Sequence, residues 1–174
     1  IPGATAAFIL PDGTVGAAPT TAYQEPVTYI SWRDAMIWCN ALSEKQGLIA
    51  AYYTDSGFTI PIRDVTDSSN RDTAPGHEDN PYVNWNADGY RLPTDVEWEI
   101  SARGATLESS YGSVYAGSDI IDDVAWYSGN ASSTQNVATK ATNTLGLFDM
   151  SGNVSEWCWD WWAEDFPQLG PDYQ

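Results

Sequence analysis

The pattern of apolar and polar positions predicts a first helix from about Trp32 to Lys45. Ser31 can cap this helix, and Asp34, three residues later, supplies the acidic partner of a near variant of the capping box. Gly47 is placed to end the helix. The apolar residues recur at helical spacing, which predicts a stripe packed in the core rather than a cofactor site; they are Ala35, Trp38, Cys39 and Leu42.

The segment 95–103 carries two conflicting signals. Its apolar residues alternate strictly with polar ones, which is the period of a strand; they are Val96, Trp98, Ile100 and Ala102. Thr94 and Glu97, however, form a capping box, and Gly104 is placed to end a helix. Because the capping signal is the more specific of the two, we predict a second helix here.

The rest of the chain alternates short apolar pieces with long loops rich in Gly, Ser, Asn and Asp. Near the start, residues 7–10 precede a Pro-Asp-Gly turn at 11–13, which predicts a hairpin. Further short extended segments are predicted at 27–30, 51–53 and 58–62, and the segment 83–85 is predicted to return to the core. Two helices amid short strands and irregular loops indicate an α+β domain.

Composition narrows the class of protein. A length of 174 residues fits one domain, and hydrophobic residues at 43% with aromatics at 13% exclude a disordered chain. No apolar run reaches the roughly 18 residues that a membrane span requires. Seven Lys and Arg residues against 24 Asp and Glu give a net charge of −17. This charge argues against nucleic acid as a ligand and favours cations or basic partners, although solubility alone would also account for it.

The sequence offers few residues for familiar catalytic sites. Cys39 and Cys158 are too few for a disulfide scaffold, and each lies beside Trp in an apolar run. We favour two buried thiols over a pair across the fold. The single His77 lies in the polar loop 63–80, where a solvated side chain is expected. The sequence contains no phosphate-binding loop, zinc motif or nucleophile elbow.

The densest stretch of the chain is 145–162, where four of the nine tryptophans occupy the last six residues. Glu156, Val154 and Gly152 share one side of an extended backbone, and a turn through Gly152 would bring Asp149 to the same place. Two carboxylates and two backbone carbonyls would suit calcium, which takes roughly 6–8 oxygen ligands. The alternative is a Gly-Asn turn in which a hydrogen bond or a cation holds Glu156.

Three segments together resemble the formylglycine-generating enzyme, or sulfatase-modifying factor, family. They are Ser-Trp-Arg-Asp-Ala at 31–35, Gly-Tyr-Arg-Leu-Pro-Thr at 89–94 with Glu-Trp-Glu at 97–99, and the stretch 145–162. The resemblance extends over 26–162 and implies a C-type-lectin-like α+β fold with two main helices, short strands and long irregular loops. It implies one domain at 26–174 that lacks the family's C-terminal part, with 1–25 as a hairpin or extension.

The resemblance also implies a metal site. In the family, the residues that correspond to Asp149 and Glu156 bind a structural calcium ion through side-chain oxygens, and those at Gly152 and Val154 through backbone oxygens. Asp149 stands where the family usually has Asn, which keeps an oxygen ligand and adds charge. We therefore expect calcium as a structural cofactor.

The family's chemistry is not expected in this chain. The enzymes use a cysteine pair that binds copper and follows an Arg-Gly-Gly-Ser segment. The sequence ends at Gln174 before any such segment, and neither Cys39 nor Cys158 occupies a catalytic position. A related branch uses a three-histidine iron site, which one histidine cannot supply. We therefore expect no catalytic residues.

One branch of this fold, the variable proteins of diversity-generating retroelements, binds ligands without catalysis. Here Ser155 replaces the family's usual Trp, and Ser, Asn, Thr and Tyr crowd residues 127–136. We expect a non-catalytic, extracytoplasmic display or adhesion domain that binds a protein or small molecule at a lectin-like surface. The alternatives are a fragment of a copper-dependent oxidase acting on sulfatase cysteines and a purely structural module. The predicted ligand-binding residues are Trp126, Tyr127, Asn130, Ser155, Asp160 and Trp161.

Overall fold

The computed structural model describes residues 24–65, 72–104 and 113–161, so the hairpin predicted at 7–13 lies outside the described residues. Regular secondary structure is sparse within these ranges, as expected for the predicted α+β class. In chain order the elements are α1 (Trp32–Lys45), β1 (Tyr52–Tyr53), β2 (Tyr82–Val83), α2 (Asp95–Ala102) and α3 (Ile121–Val124).

Helix α1 has the predicted bounds because its capping box forms. The Asp34 N–H donates to Ser31 Oγ at 3.1 Å, and the Ser31 N–H donates to Asp34 Oδ2 at 2.7 Å. The predicted core stripe is wrong in part, since Trp38 is 51% exposed. The buried positions are Met36, Cys39, Asn40 and Ser43. Two of these side chains are polar and bond to backbone, so a purely apolar pattern does not mark the face that is buried.

The Asn40 side chain joins α1 to the sheet. Its Nδ2 donates to the carbonyls of Tyr52 at 2.8 Å and Ile62 at 2.9 Å, and its Oδ1 accepts from the Ala51 and Tyr52 N–H groups at 3.1 Å. A fully buried amide is stable here because all of these bonds are made. Around it lies the core cluster of Met36, Cys39, Ala51, Tyr52 and Ile62, against which Trp159 packs.

The sheet is smaller than predicted. β1 and β2 pair antiparallel, with Tyr52 opposite Val83, whereas 27–30 forms no strand and 58–62 contributes only an isolated bridge from Pro61 to Tyr53. Tyr29 and Phe58 have φ values of 60° and 55°, which lie in the left-handed region and interrupt an extended backbone. The prediction that 83–85 returns to the core holds for Val83 but is wrong for the half-exposed Trp85.

Helix α2 resolves the conflict at 95–103 in favour of a helix. The Glu97 N–H donates to Thr94 Oγ1 at 3.2 Å, and the Thr94 N–H donates to Glu97 Oε2 at 2.9 Å. Arg91 binds both oxygens of Glu97 at 2.6 Å, and these hydrogen bonds lower the pKa of that carboxyl to about 2. At the other end, Asn143 Nδ2 donates to the Ser101 carbonyl at 2.7 Å.

None of the eight residues of α2 is buried. Hydrogen bonds connect this helix to the rest of the domain, from Arg91 to Glu97 and from Asn143 to the Ser101 carbonyl.

Both cysteines are free, as predicted, although only Cys39 is fully buried and Cys158 is partly exposed. Burial raises the pKa of the Cys39 thiol to about 11. The His77 side chain is 54% exposed, as expected, and its Nδ1 lies 2.7 Å from Asp72 Oδ2.

Candidate functional site

The tryptophan-rich segment 156–161 is fixed to the fold through its backbone and indole groups. The Trp32 indole N–H donates to the Cys158 carbonyl at 3.0 Å, and the Trp159 N–H donates to the Pro93 carbonyl at 2.8 Å. The Trp159 ring lies 5.1 Å from the Trp32 ring and stacks on Tyr52 at 5.3 Å between centroids. These contacts hold one wall of the site against α1 and the start of α2.

A tight turn at 149–154 forms the opposite wall. Asp149 and Asn153 have φ values of 59° and 70°, and the Gly152 N–H donates to the Asp149 carbonyl at 3.3 Å. The Asn153 N–H donates to the Trp126 carbonyl at 2.7 Å. A Cβ atom on Gly152 would lie 2.4 Å from that carbonyl oxygen, so the close approach of the two backbones requires glycine here.

The turn and the tryptophan-rich segment border an open cavity of about 420 Å³. All four residues predicted to bind calcium line it, namely Asp149, Gly152, Val154 and Glu156. Ser155 and Cys158 also line the cavity, and Asp95 and Trp98 contribute from α2. The structure therefore brings together the four residues whose spacing suggested a common site.

The carboxylates of this cavity have few partners. Asp149 Oδ2 accepts from the Ala138 N–H at 2.8 Å, whereas Oδ1 is the one buried side-chain oxygen or nitrogen in the described ranges without a hydrogen-bond partner. Glu156 Oε2 accepts from the Trp98 indole N–H at 2.6 Å. None of the ion pairs found among the described residues involves either acid. An unpartnered buried carboxylate oxygen is costly, and a bound cation would remove this cost.

The chemistry of these donors fits a hard cation. The described residues contain no group of three or more His, Cys, Asp or Glu side chains suited to a metal, so a site here needs backbone oxygens as well as the two carboxylates. Calcium accepts such mixed oxygen donors, whereas zinc and copper favour imidazole and thiolate. Burial raises the pKa of the Cys158 thiol, and the neighbouring carboxylates Asp95, Asp160 and Glu156 raise it further, which disfavours a thiolate at this cavity.

The six predicted ligand-binding residues fall in two places. Trp126, Tyr127 and Asn130 belong to the loop after α3, where Asn130 Oδ1 accepts from the Tyr127 N–H at 3.0 Å. The Trp126 ring lies 4.1 Å from the Lys140 ammonium. Both Asn130 and Trp126 therefore have roles in holding the loop together.

The other three residues lie at or near the cavity. Ser155 lines it, and Asp160 Oδ2 accepts from the Asp95 N–H at 2.6 Å at the start of α2. Trp161 stacks against Trp32 at 6.4 Å and is 63% exposed. The sequence analysis did not predict Asp95 and Trp98, which reach the cavity from a helix about 60 residues away along the chain. The one available signal was that a partly buried indole N–H needs a hydrogen-bond acceptor.

The sparse α+β architecture, with its cavity between irregular loops, is a C-type-lectin-like fold of the formylglycine-generating enzyme type, as the sequence predicted. Residues 11–168 match the family described as sulfatase-modifying factor enzyme 1-like domain, and the chain belongs to that family. Within the described ranges, no helix is long and apolar enough to cross a membrane.

Three known proteins illustrate the relationship. The chaperone protein LppX of Paenibacillus barcinonensis is 35% identical over 156 residues, which are 79% of this chain and 52% of LppX. The solved structure of Treponema denticola variable protein 1 is 34% identical with a TM-score of 0.65, covering 87% of this chain and 54% of that one. The formylglycine-generating enzyme of Thermomonospora curvata is 34% identical over 100 residues, which are 49% of this chain and 31% of the enzyme. The chain thus spans about half the length of LppX and of the variable protein.

Proposed function

We propose that this chain is a non-catalytic ligand-binding domain, used for display or adhesion, whose loops are stabilised by a calcium ion. The observation that carries the calcium proposal is the buried Asp149 Oδ1, which has no hydrogen-bond partner and belongs to a cavity lined by a second carboxylate. An uncompensated buried charge of this kind is retained where a cation binds it. The net charge of −17 also favours attraction of cations.

In this proposal Asp149 and Glu156 bind the ion through side-chain oxygens, and Gly152 and Val154 through backbone oxygens. Water would complete the roughly 6–8 oxygen ligands that calcium takes. The bound ion would then join the turn at 149–154 to the tryptophan-rich segment. Its role is structural, because these two loops otherwise bring two carboxylates together without a countercharge.

An extracytoplasmic location follows from the same proposal. Extracellular calcium modules bind the ion with dissociation constants of about 10⁻⁴–10⁻³ M, which suits a site with only two carboxylate ligands. Calcium at such concentrations is found outside the cytoplasm. A calcium dissociation constant in this range would support an extracytoplasmic location.

The ligand-binding part of the proposal rests on the exposed aromatic surface and on the similarity to variable protein 1. Trp161 exposes 63% of its surface, Ser155 lines the cavity, and Asp160 binds the start of α2. Aromatic side chains flanked by small polar ones provide contact area and adaptable hydrogen bonds for a protein or small-molecule ligand. The loop of Trp126, Tyr127 and Asn130 would contribute at the far side of the turn.

The Glu156→Gln variant tests the calcium site. Glutamine keeps an oxygen acceptor for the Trp98 indole but removes the charge that would bind calcium. Calcium should raise the melting temperature of the unmodified protein, and the variant should lose this increase while melting normally in a chelator.

A matched control is Glu44→Gln, which removes an exposed carboxylate on α1 that pairs with Arg63. This variant should keep the full increase with calcium. Equal melting temperatures of the unmodified protein with calcium and with chelator would contradict the calcium proposal.

The second candidate is a fragment of a copper-dependent oxidase, which the similarity to the Thermomonospora curvata enzyme favours. Conversion of a sulfatase-motif peptide by this chain in the presence of copper and oxygen would overturn the non-catalytic assignment.

A further inference from the structure

The indole of Trp98 is the one side chain that fixes Glu156 within the described part of the chain. Its N–H donates to Glu156 Oε2 at 2.6 Å. Glu97, the neighbour of Trp98 on the helix, is held instead by a charged partner, since Arg91 binds both of its oxygens. The two acids thus differ in their partners: Glu97 is held by the guanidinium of Arg91, whereas Glu156 is held by an uncharged donor and forms none of the ion pairs found among the described residues.

An uncharged donor is suited to orienting a metal-binding carboxylate. An arginine at this place would compete with a cation for both oxygens, because bidentate pairing occupies the carboxylate. An indole N–H occupies one oxygen and leaves Oε1 for a cation. Carboxylates that bind metals are commonly hydrogen-bonded in this way by residues that do not touch the metal.

Trp98 also connects the cavity to helix α2. It lies in the middle of the helix, where its backbone N–H donates to the Thr94 carbonyl at 2.8 Å. A second cavity of about 560 Å³ lies beside the first and is lined by α2 residues, and Trp98 borders both. No residue of α2 is fully buried, so each hydrogen bond between this helix and the rest of the domain helps to hold it in place.

We propose that Trp98 is a positioning residue for the cation site: its indole orients Glu156 for the ion, and through this bond the ion holds helix α2 in place. The inference rests on the calcium site proposed above. Coupling of this kind is reciprocal, so losing the indole N–H weakens cation binding, and binding the cation restrains the helix.

Calorimetric titration with calcium chloride of the 174-residue chain tests the first half of the inference. Trp98→Phe keeps an aromatic ring and removes the donor, and its calcium dissociation constant should rise by about 10–100-fold, the usual cost of losing a hydrogen bond that orients a metal ligand. The matched control is Trp157→Phe, beside Glu156, whose indole N–H donates to the Ile30 carbonyl at 3.1 Å. Its affinity should equal that of the unmodified protein.

Hydrogen exchange on the unmodified protein tests the second half and needs no variant to fold. Amides of Asp95–Ala102 should exchange more slowly with calcium than with a chelator, while those of Trp32–Lys45 change little. If calcium binds and both Trp98→Phe affinity and helix exchange are unaffected, the inference is overturned and the calcium site stands. If the unmodified protein binds no calcium in the titration, the calcium site itself is refuted, and the role of Trp98 is refuted with it.

Discussion

Adding a methyl group at Gly152 should damage the turn on which the site depends. A Cβ atom there would lie 2.4 Å from the Trp126 carbonyl oxygen, well inside contact distance, and that oxygen belongs to backbone and cannot rotate away. Relieving the clash disturbs the bond from the Asn153 N–H to the same oxygen. Overpacking costs about 1–3 kcal/mol and the lost hydrogen bond about 0.5–1.5 kcal/mol, so Gly152→Ala should lower the free energy of unfolding by about 2–4 kcal/mol.

Urea denaturation followed by tryptophan fluorescence measures this loss in the presence of a chelator, so that calcium does not contribute. Gly57→Ala is a matched control, because its new Cβ would meet side-chain atoms and no backbone, namely the Asp55 carboxylate at 3.1 Å and Thr59 Cγ2 at 3.7 Å. The control should cost less than about 1 kcal/mol. A Gly152→Ala variant as stable as the Gly57→Ala variant would refute the claim that the two backbones are packed closely at the site.

Two further predictions concern the scaffold around the site. Asn40→Ala leaves three buried backbone groups without their partner, and at about 1–3 kcal/mol each it should cost about 3–9 kcal/mol in urea denaturation; they are the Ala51 N–H, the Tyr52 N–H and the Ile62 carbonyl. Acid should also weaken the domain. The hydrogen bonds from Arg91 lower the folded-state pKa of Glu97 from 4.5 to about 2, so its contribution to stability is complete above pH 4.5 and is lost as the pH falls towards 2.

Each of these has its own control. Asn84→Ala removes a partly exposed asparagine whose Oδ1 accepts the local Asn86 N–H, so a loss as large as that of Asn40→Ala would contradict the network argument. Glu97→Gln should reduce the fall in melting temperature between pH 4.5 and 2. An unchanged profile would mean that the ion pair does not contribute to acid sensitivity.

Local signals in the sequence predicted helices α1 and α2, whereas the short helix α3, which has no side-chain cap, was not predicted. The capping boxes at Ser31 and Thr94 lie within four residues of the elements they start, and both form as expected. At 95–103 this local signal decided correctly against the strand-like alternation. The four candidate calcium residues could be grouped for the same reason, because they lie within eight consecutive positions and one turn brings them to the same cavity.

Features that depend on distant partners could not be read from the sequence. The bond between Trp98 and Glu156 joins residues 58 positions apart, and no pattern near either one specifies it. The buried face of α1 contains Met36 and not Trp38, because that face packs against the sheet, where Asn40 bonds to the backbone of Tyr52. The strand predicted at 27–30 fails because Tyr29 adopts a left-handed backbone, a choice that residue type does not reveal.

The most direct test of the account is equilibrium dialysis of the unmodified chain against radioactive calcium at about 0.15 M salt, where weak attraction to exposed acids is screened. We expect calcium binding to saturate at one ion per chain, since the unpartnered Asp149 oxygen and the Glu156 carboxylate belong to the lining of one cavity. Absence of saturable binding up to about 10⁻² M calcium, beyond the range of weak extracellular calcium modules, would contradict it.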